Sequence, residues 1–196
     1  SKPASLYQAG FAANIQLGNF DDNLSGIADA DWIMEVVVEN LAIKKSLYDR
    51  VEQFRKAGTL ITSNTSGIPI HLMAEGRSAD FQAHFCGTHF FNPPRYMRLL
   101  ELVVGKDTRP EIIKEVAEFC DVKLGKGVVS CHDTPGFIAN RLGVFWMQQG
   151  VNVAALKNVP IEIADAVMSK PVGIPKTGIF ALIDLVGVDL MPKLAD

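Results

Sequence analysis

Between residues 31 and 131, short β-branched apolar runs alternate with segments of helical spacing, and after residue 132 the alternation stops. A chain patterned this way folds as strands joined by helices, followed by a helical part. The first run is Asp31-Trp32-Ile33-Met34-Glu35-Val36-Val37-Val38, read as a buried strand, with Glu39 directly after it. Residues 40–56 then place Leu41, Leu47, Tyr48, Val51 and Phe54 on one helical face, and Gly58 reads as the stop. Residues 59–63 form a second strand, closed by the polar cluster Asn64-Thr65-Ser66-Gly67, and a short helix is expected over 69–75. A third strand lies within 84–91, closed by Asn92-Pro93-Pro94, and a fourth near 99–104. Pro110 opens a helix carrying Ile112, Ile113, Val116 and Phe119 at helical spacing, and residues 127–131 read as the last strand.

Asp133-Thr134-Pro135 is a helix-start signal, and 135–156, 161–169 and 177–190 read as helices separated by Pro and Gly. The expectation is an α/β part over 1–131 and an all-α part over 132–196, with no clear period in residues 1–20. Apolar residues are 48% and charged residues 21% of the chain, enough for a packed core and too apolar for intrinsic disorder. A net charge of −3 with no basic run argues against non-specific nucleic-acid binding. Three cysteines, Cys86, Cys120 and Cys131, with no Cys-x-x-Cys pair, argue against a disulfide framework and point to the cytoplasm. No secretory signal is expected at the N-terminus. The apolar stretch 179–191 is broken by Asp184 and Asp189 and is too short to span a membrane.

Ligands of open parallel sheets bind at the carboxyl ends of the strands. Here the first strand ends at Glu39, the second at Asn64-Thr65-Ser66, and the third near His89 and Asn92. If the strands are parallel, these groups converge on one crevice. His89 is the best general-base candidate, because imidazole titrates near neutral pH, and the bland alternative is a hydrogen-bonded histidine at a strand end. A carboxylate beside such a base favours the cation it becomes, and Glu101 on the next strand is the candidate partner. His71 and His84 score lower. His132 beside Cys131 and Asp133 hints at a metal, but no second ligand pair supports it, so no metal site is expected. Gly125-Lys126-Gly127 precedes a strand instead of following one, the wrong orientation for cradling a pyrophosphate.

Four of these segments, in order and spacing, resemble the L-3-hydroxyacyl-CoA dehydrogenase family. They are the stretch from Ala30 to Leu41, Ser63-Asn64-Thr65-Ser66, Gly87-Thr88-His89-Phe90-Phe91-Asn92-Pro93, and Asp133-Thr134-Pro135-Gly136-Phe137-Ile138-Ala139-Asn140-Arg141-Leu142; the likeness covers about residues 20–190. The resemblance implies a partial Rossmann-type parallel sheet followed by an all-α domain for substrate and dimerisation. It implies oxidation of the 3-hydroxyl of a fatty acyl-CoA, in β-oxidation, with hydride passed to NAD. His89 is then the general base and Glu101 its orienting carboxylate. Ser66 contacts substrate and cofactor, Asn140 helps place the substrate, and Glu39, Lys44 and Asn92 match positions near the cofactor. A homodimer through the helical part is implied as well. So is an internal position for this chain, after the family's opening strand, glycine-rich loop and second strand, and before the end of its helical domain. Gly67 stands where a serine is common in the family. Two other readings stay open: a related two-domain dehydrogenase of a small hydroxy acid, and a non-enzymatic structural relative.

Overall fold

The computed structural model describes residues 4–173 and 177–187. Ser1–Thr134 and Pro135–Asp196 are two compact units. The first holds a five-stranded sheet in the order β1 (Trp32–Glu35), β2 (Leu60–Ser63), β3 (Phe85–Phe90), β4 (Leu99–Val103), β5 (Gly127–Cys131). Helix α1 (Leu41–Phe54) joins β1 to β2, and two short helices, α2 (Ile70–Ala74) and α3 (Ala79–Ala83), join β2 to β3. Helix α4 (Pro110–Glu118), continued by a π turn over Phe119–Lys123, joins β4 to β5. These crossovers leave β1–β2, β2–β3 and β4–β5 parallel.

One pair breaks the parallel expectation. β3 and β4 run antiparallel, with His89 opposite Glu101. Only residues 91–98 connect them. A parallel return needs a crossover of about a dozen residues or more, so this link can only double back.

The pleat divides the side chains between two faces. Cys86, Leu100 and Leu102 form a core with Ile112, Val116 and Cys120 beneath α4. Ile61 and Phe85 look the other way, where Tyr48 of α1 meets Phe81 and Phe85 edge-on at 5.3 and 5.6 Å between ring centroids.

Several boundaries differ from those read in the sequence, each for a local reason. The first strand stops at Glu35, because the Val37 N–H donates to the Glu35 carboxylate at 2.6 Å instead of to a neighbouring strand. On α1 the buried residues are Lys44, Tyr48 and Val51, whereas Phe54 is 40% exposed. Helix α3 went unread; Ser78 caps it by accepting from the Phe81 N–H at 3.2 Å.

In the second unit, α5 spans Ala139–Leu156, α6 Ile161–Val167 and α7 Phe180–Val186. α5 begins four residues later than Pro135, because Gly136 and Phe137 both have positive φ, 69° and 47°, and cannot continue a right-handed helix. Asp165 of α6 caps α7, accepting from the Phe180 and Ala181 N–H groups at 2.7 and 3.0 Å. Residues 188–190 of the last expected helix lie outside the described residues.

Candidate active site

The carboxyl ends of β1, β2 and β3 are tied together by side chains. Glu39, just beyond β1, accepts through one carboxylate oxygen from the Thr65 hydroxyl at 2.6 Å and from the Ser66 and Gly67 N–H groups at 2.9 and 3.0 Å. Asn64, just beyond β2, accepts from the Phe90 N–H of β3 at 2.9 Å. The turn holding Ser66 is therefore fixed from the β1 side, and the strand end holding His89 is fixed from the β2 side. Ser66 and Asn92 are exposed at this rim.

His89 and Glu101 meet inside it. The two residues are directly opposed across the antiparallel pair, and His89 Nδ1 lies 2.7 Å from Glu101 Oε2. Both side chains are buried, at 7% and 1% exposure. An ionised carboxylate only accepts, so Nδ1 is the nitrogen that donates to one here, and in a neutral imidazole held this way Nε2 is the basic nitrogen. The ring of Phe91 packs on the imidazole with centroids 4.4 Å apart. The doubling back of β3 into β4 thus places residues twelve apart in sequence within hydrogen-bond reach.

Lys44 is placed differently from a residue that faces a cofactor. Its side chain is 1% exposed, and Nζ reaches both Glu35 oxygens at 2.8 and 2.9 Å and Glu39 Oε2 at 3.4 Å. Glu35 also accepts from Ser63 Oγ at 2.6 Å and Tyr48 OH at 3.2 Å. This buried network had no advance signal, because a lysine and a glutamate in apolar surroundings read as solvated charges. Burial first, then the Glu35 charge, pushes the Tyr48 phenol well above its ordinary range.

Asp133 accepts from the Ile70 and His71 N–H groups of α2 at 2.6 and 2.9 Å and pairs with His71 Nδ1 at 2.6 Å. Asn140 is the second residue of α5, in the second unit. Among the described residues no group of three or more His, Cys, Asp and Glu side chains could hold a metal ion. Among them, too, no strand runs into a Gly-x-Gly turn, and no helix is long and apolar enough to cross a membrane.

Two family profiles match the chain: "3-hydroxyacyl-CoA dehydrogenase, NAD binding domain" over residues 2–134, and "3-hydroxyacyl-CoA dehydrogenase, C-terminal domain" over 136–196. A probable 3-hydroxyacyl-CoA dehydrogenase of Bacillus subtilis is 45% identical over 99% of this chain, which spans 25% of that protein. A probable 3-hydroxyacyl-CoA dehydrogenase of Deinococcus radiodurans is 40% identical over the whole chain, which spans 56% of it. Among solved structures, the (S)-3-hydroxybutyryl-CoA dehydrogenase PaaH1 of Ralstonia eutropha superposes with a TM-score of 0.79 at 29% identity, covering 87% of this chain and 59% of that one. The chain belongs to the 3-hydroxyacyl-CoA dehydrogenase family.

Proposed function

We propose that the protein carrying this chain oxidises the 3-hydroxyl of an acyl-CoA to a ketone with NAD as acceptor, with His89 as general base and Glu101 as its positioning carboxylate. The observation that carries this reading is the buried 2.7 Å bond between His89 and Glu101 at the strand ends. His89 Nε2 takes the hydroxyl proton as the C–H bond breaks. Glu101 holds the ring in the tautomer whose Nε2 can take a proton and stabilises the imidazolium that forms. Ser66, a neutral donor, holds the substrate oxygen while charge develops on it.

The donor set here fits one end of the dinucleotide. Ser66 and Asn92 offer uncharged donors at the rim, suited to a nicotinamide and its ribose, and Glu39 fixes the turn that carries Ser66. A pyrophosphate cradle needs backbone N–H groups in a glycine turn after a strand, which no described residues form. When bound, the nicotinamide supplies the hydride acceptor. Lys44 acts at one remove, neutralising Glu35 and Glu39.

Two further parts of the reading concern setting. Three free cysteines, all buried, suit a reducing compartment, and we place the protein in the cytoplasm. Leu142 and Phe145 of α5 and Leu185 of α7 are exposed and apolar, which supports a homodimer through the helical unit.

The test is NADH oxidation by the protein carrying this chain, with acetoacetyl-CoA and then with free acetoacetate. Turnover with the thioester and little with the free acid is expected. Turnover of the free acid with the thioester ignored would overturn the substrate assignment.

A further inference from the structure

The Gly125-Lys126-Gly127 turn lies between the π turn after α4 and strand β5. Gly125 takes a left-handed φ of 66°, and its N–H and that of Lys126 donate to the Asp121 and Cys120 carbonyls, both at 3.0 Å. The Gly127 N–H donates to the Arg98 carbonyl at 2.8 Å, just ahead of the β4–β5 ladder. The backbone on both sides of Lys126 is therefore fixed. Lys126 itself is buried, at 7% exposure. Its Nζ donates to the carbonyl of Pro94 and, at 2.8 Å, to that of Met97, and it lies 5.5 Å from the centroid of the Phe90 ring. Among the described residues no carboxylate pairs with it.

Burying an ammonium without a counter-ion is unfavourable unless oxygen atoms and a ring face replace its water. The partners of Lys126 all belong to one stretch, the end of β3 and the link from β3 to β4. Within that link the Pro93 carbonyl accepts from the Tyr96 and Met97 N–H groups, both at 3.0 Å, so its middle is a closed turn. Lys126 holds that turn from the β5 side, and Asn92, exposed at the rim of the site, stands immediately before it. Bonds to a charged donor are stronger than neutral ones, so a lysine here holds the link more firmly than an apolar side chain of similar length.

We propose that Lys126 is a positioning residue: its ammonium, bonded to the Pro94 and Met97 carbonyls, locks the 91–98 link and so holds Asn92 where it can meet the cofactor. This rests on the reading of Asn92 as a cofactor contact under the proposed function. Lys126 acts through the link. Loosening the link weakens a contact made in the ground state and the transition state alike, so KM for the cofactor rises while kcat changes little.

The experiment has two readouts. In the 196-residue chain, Lys126→Met is expected to speed amide hydrogen exchange at Tyr96 and Met97 by about tenfold, with the Ile61 amide of β2 unchanged. Unchanged exchange at Tyr96 and Met97 would overturn the clamp, and so would exchange that speeds equally at Ile61, which marks a general loss of stability. In the protein carrying this chain, Lys126→Met should raise KM for NADH by about three- to tenfold, with kcat within about twofold of the parent. Lys126→Arg restores a cationic donor and should recover most of both effects. Asn92→Ala should raise KM for NADH as well. If Asn92→Ala raises it and Lys126→Met does not, the role of Lys126 is overturned and the reading of Asn92 survives. If Asn92→Ala leaves it unchanged, that reading fails and takes the role of Lys126 with it. The parent chain gives a measure that does not depend on any variant folding. The Lys126 ammonium protons should persist in the NMR spectrum at neutral pH, with cross-peaks to the Phe90 ring. Protons lost to exchange with water, with no such cross-peaks, would contradict the contact.

Discussion

Glu39 is exposed on one side, yet it organises the rim of the site. Burial alone would raise its pKa; the Thr65 hydroxyl, the Ser66 N–H, the Lys44 charge and the Gly67 N–H together outweigh burial and hold it below the ordinary carboxylate range. A folded-state value below the unfolded one means that Glu39 stabilises the fold above the unfolded value, near ~4.3, and that this stabilisation is lost as pH falls through the folded value. Glu39→Gln is therefore expected to unfold at lower urea than the parent at neutral pH, with the gap narrowing below pH ~4. A gap of constant size across that range would show that the carboxylate's charge plays no part. At this scale the sequence was most informative where a residue type has few uses. A histidine and a glutamate on adjoining strands could be paired on chemical grounds alone. Lys44 could not be read the same way. Its burial follows from its ion pair with Glu35, at the end of β1, as α1 folds back over the strand, a tertiary fact that no spacing carries.

The β3–β4 hairpin is the element on which the site depends. It brings His89 against Glu101, and it closes tightly at Gly87, where an added Cβ would meet Val103 Cβ at 2.8 Å and Ile70 Cγ2 at 3.2 Å. Gly87→Ala is expected to destabilise the first unit by about 1–3 kcal/mol, because two branched side chains on β4 and α2 would have to give way. Urea unfolding measures it, and stability within about 0.5 kcal/mol of the parent would mean the hairpin yields more easily than its packing implies. The strands themselves were legible, since short, mostly apolar runs bounded by turn residues mark β2, β3, β4 and β5 closely. Direction was not. Only the length of the 91–98 link distinguishes a hairpin from a crossover, and its two prolines drew the reading toward a strand end instead. The late start of α5 was hidden because Pro135 is a sound helix opener, and the left-handed Gly136 and Phe137 that delay it leave no mark in hydrophobic spacing.

At the scale of the molecule, two units match two domains of one family, and the chain spans 25% and 56% of the two relatives compared above. The change from strands to helices near residue 132 was visible because β-branched alternation stops there. The three strand ends that carry the candidate residues come together in the first unit, as strand order led one to expect. Under the proposed function, the fold would be joined to the activity by a proton path from a substrate hydroxyl to His89 with Glu101 behind it. The most direct test is turnover of acetoacetyl-CoA with NADH by the protein carrying this chain, with His89 and with His89→Gln, alongside thermal melts of both. A fall of about 10²–10⁴-fold in turnover with the melt unchanged is what a general base at His89 requires. Turnover that survives His89→Gln within a few-fold would place the base elsewhere and contradict the account.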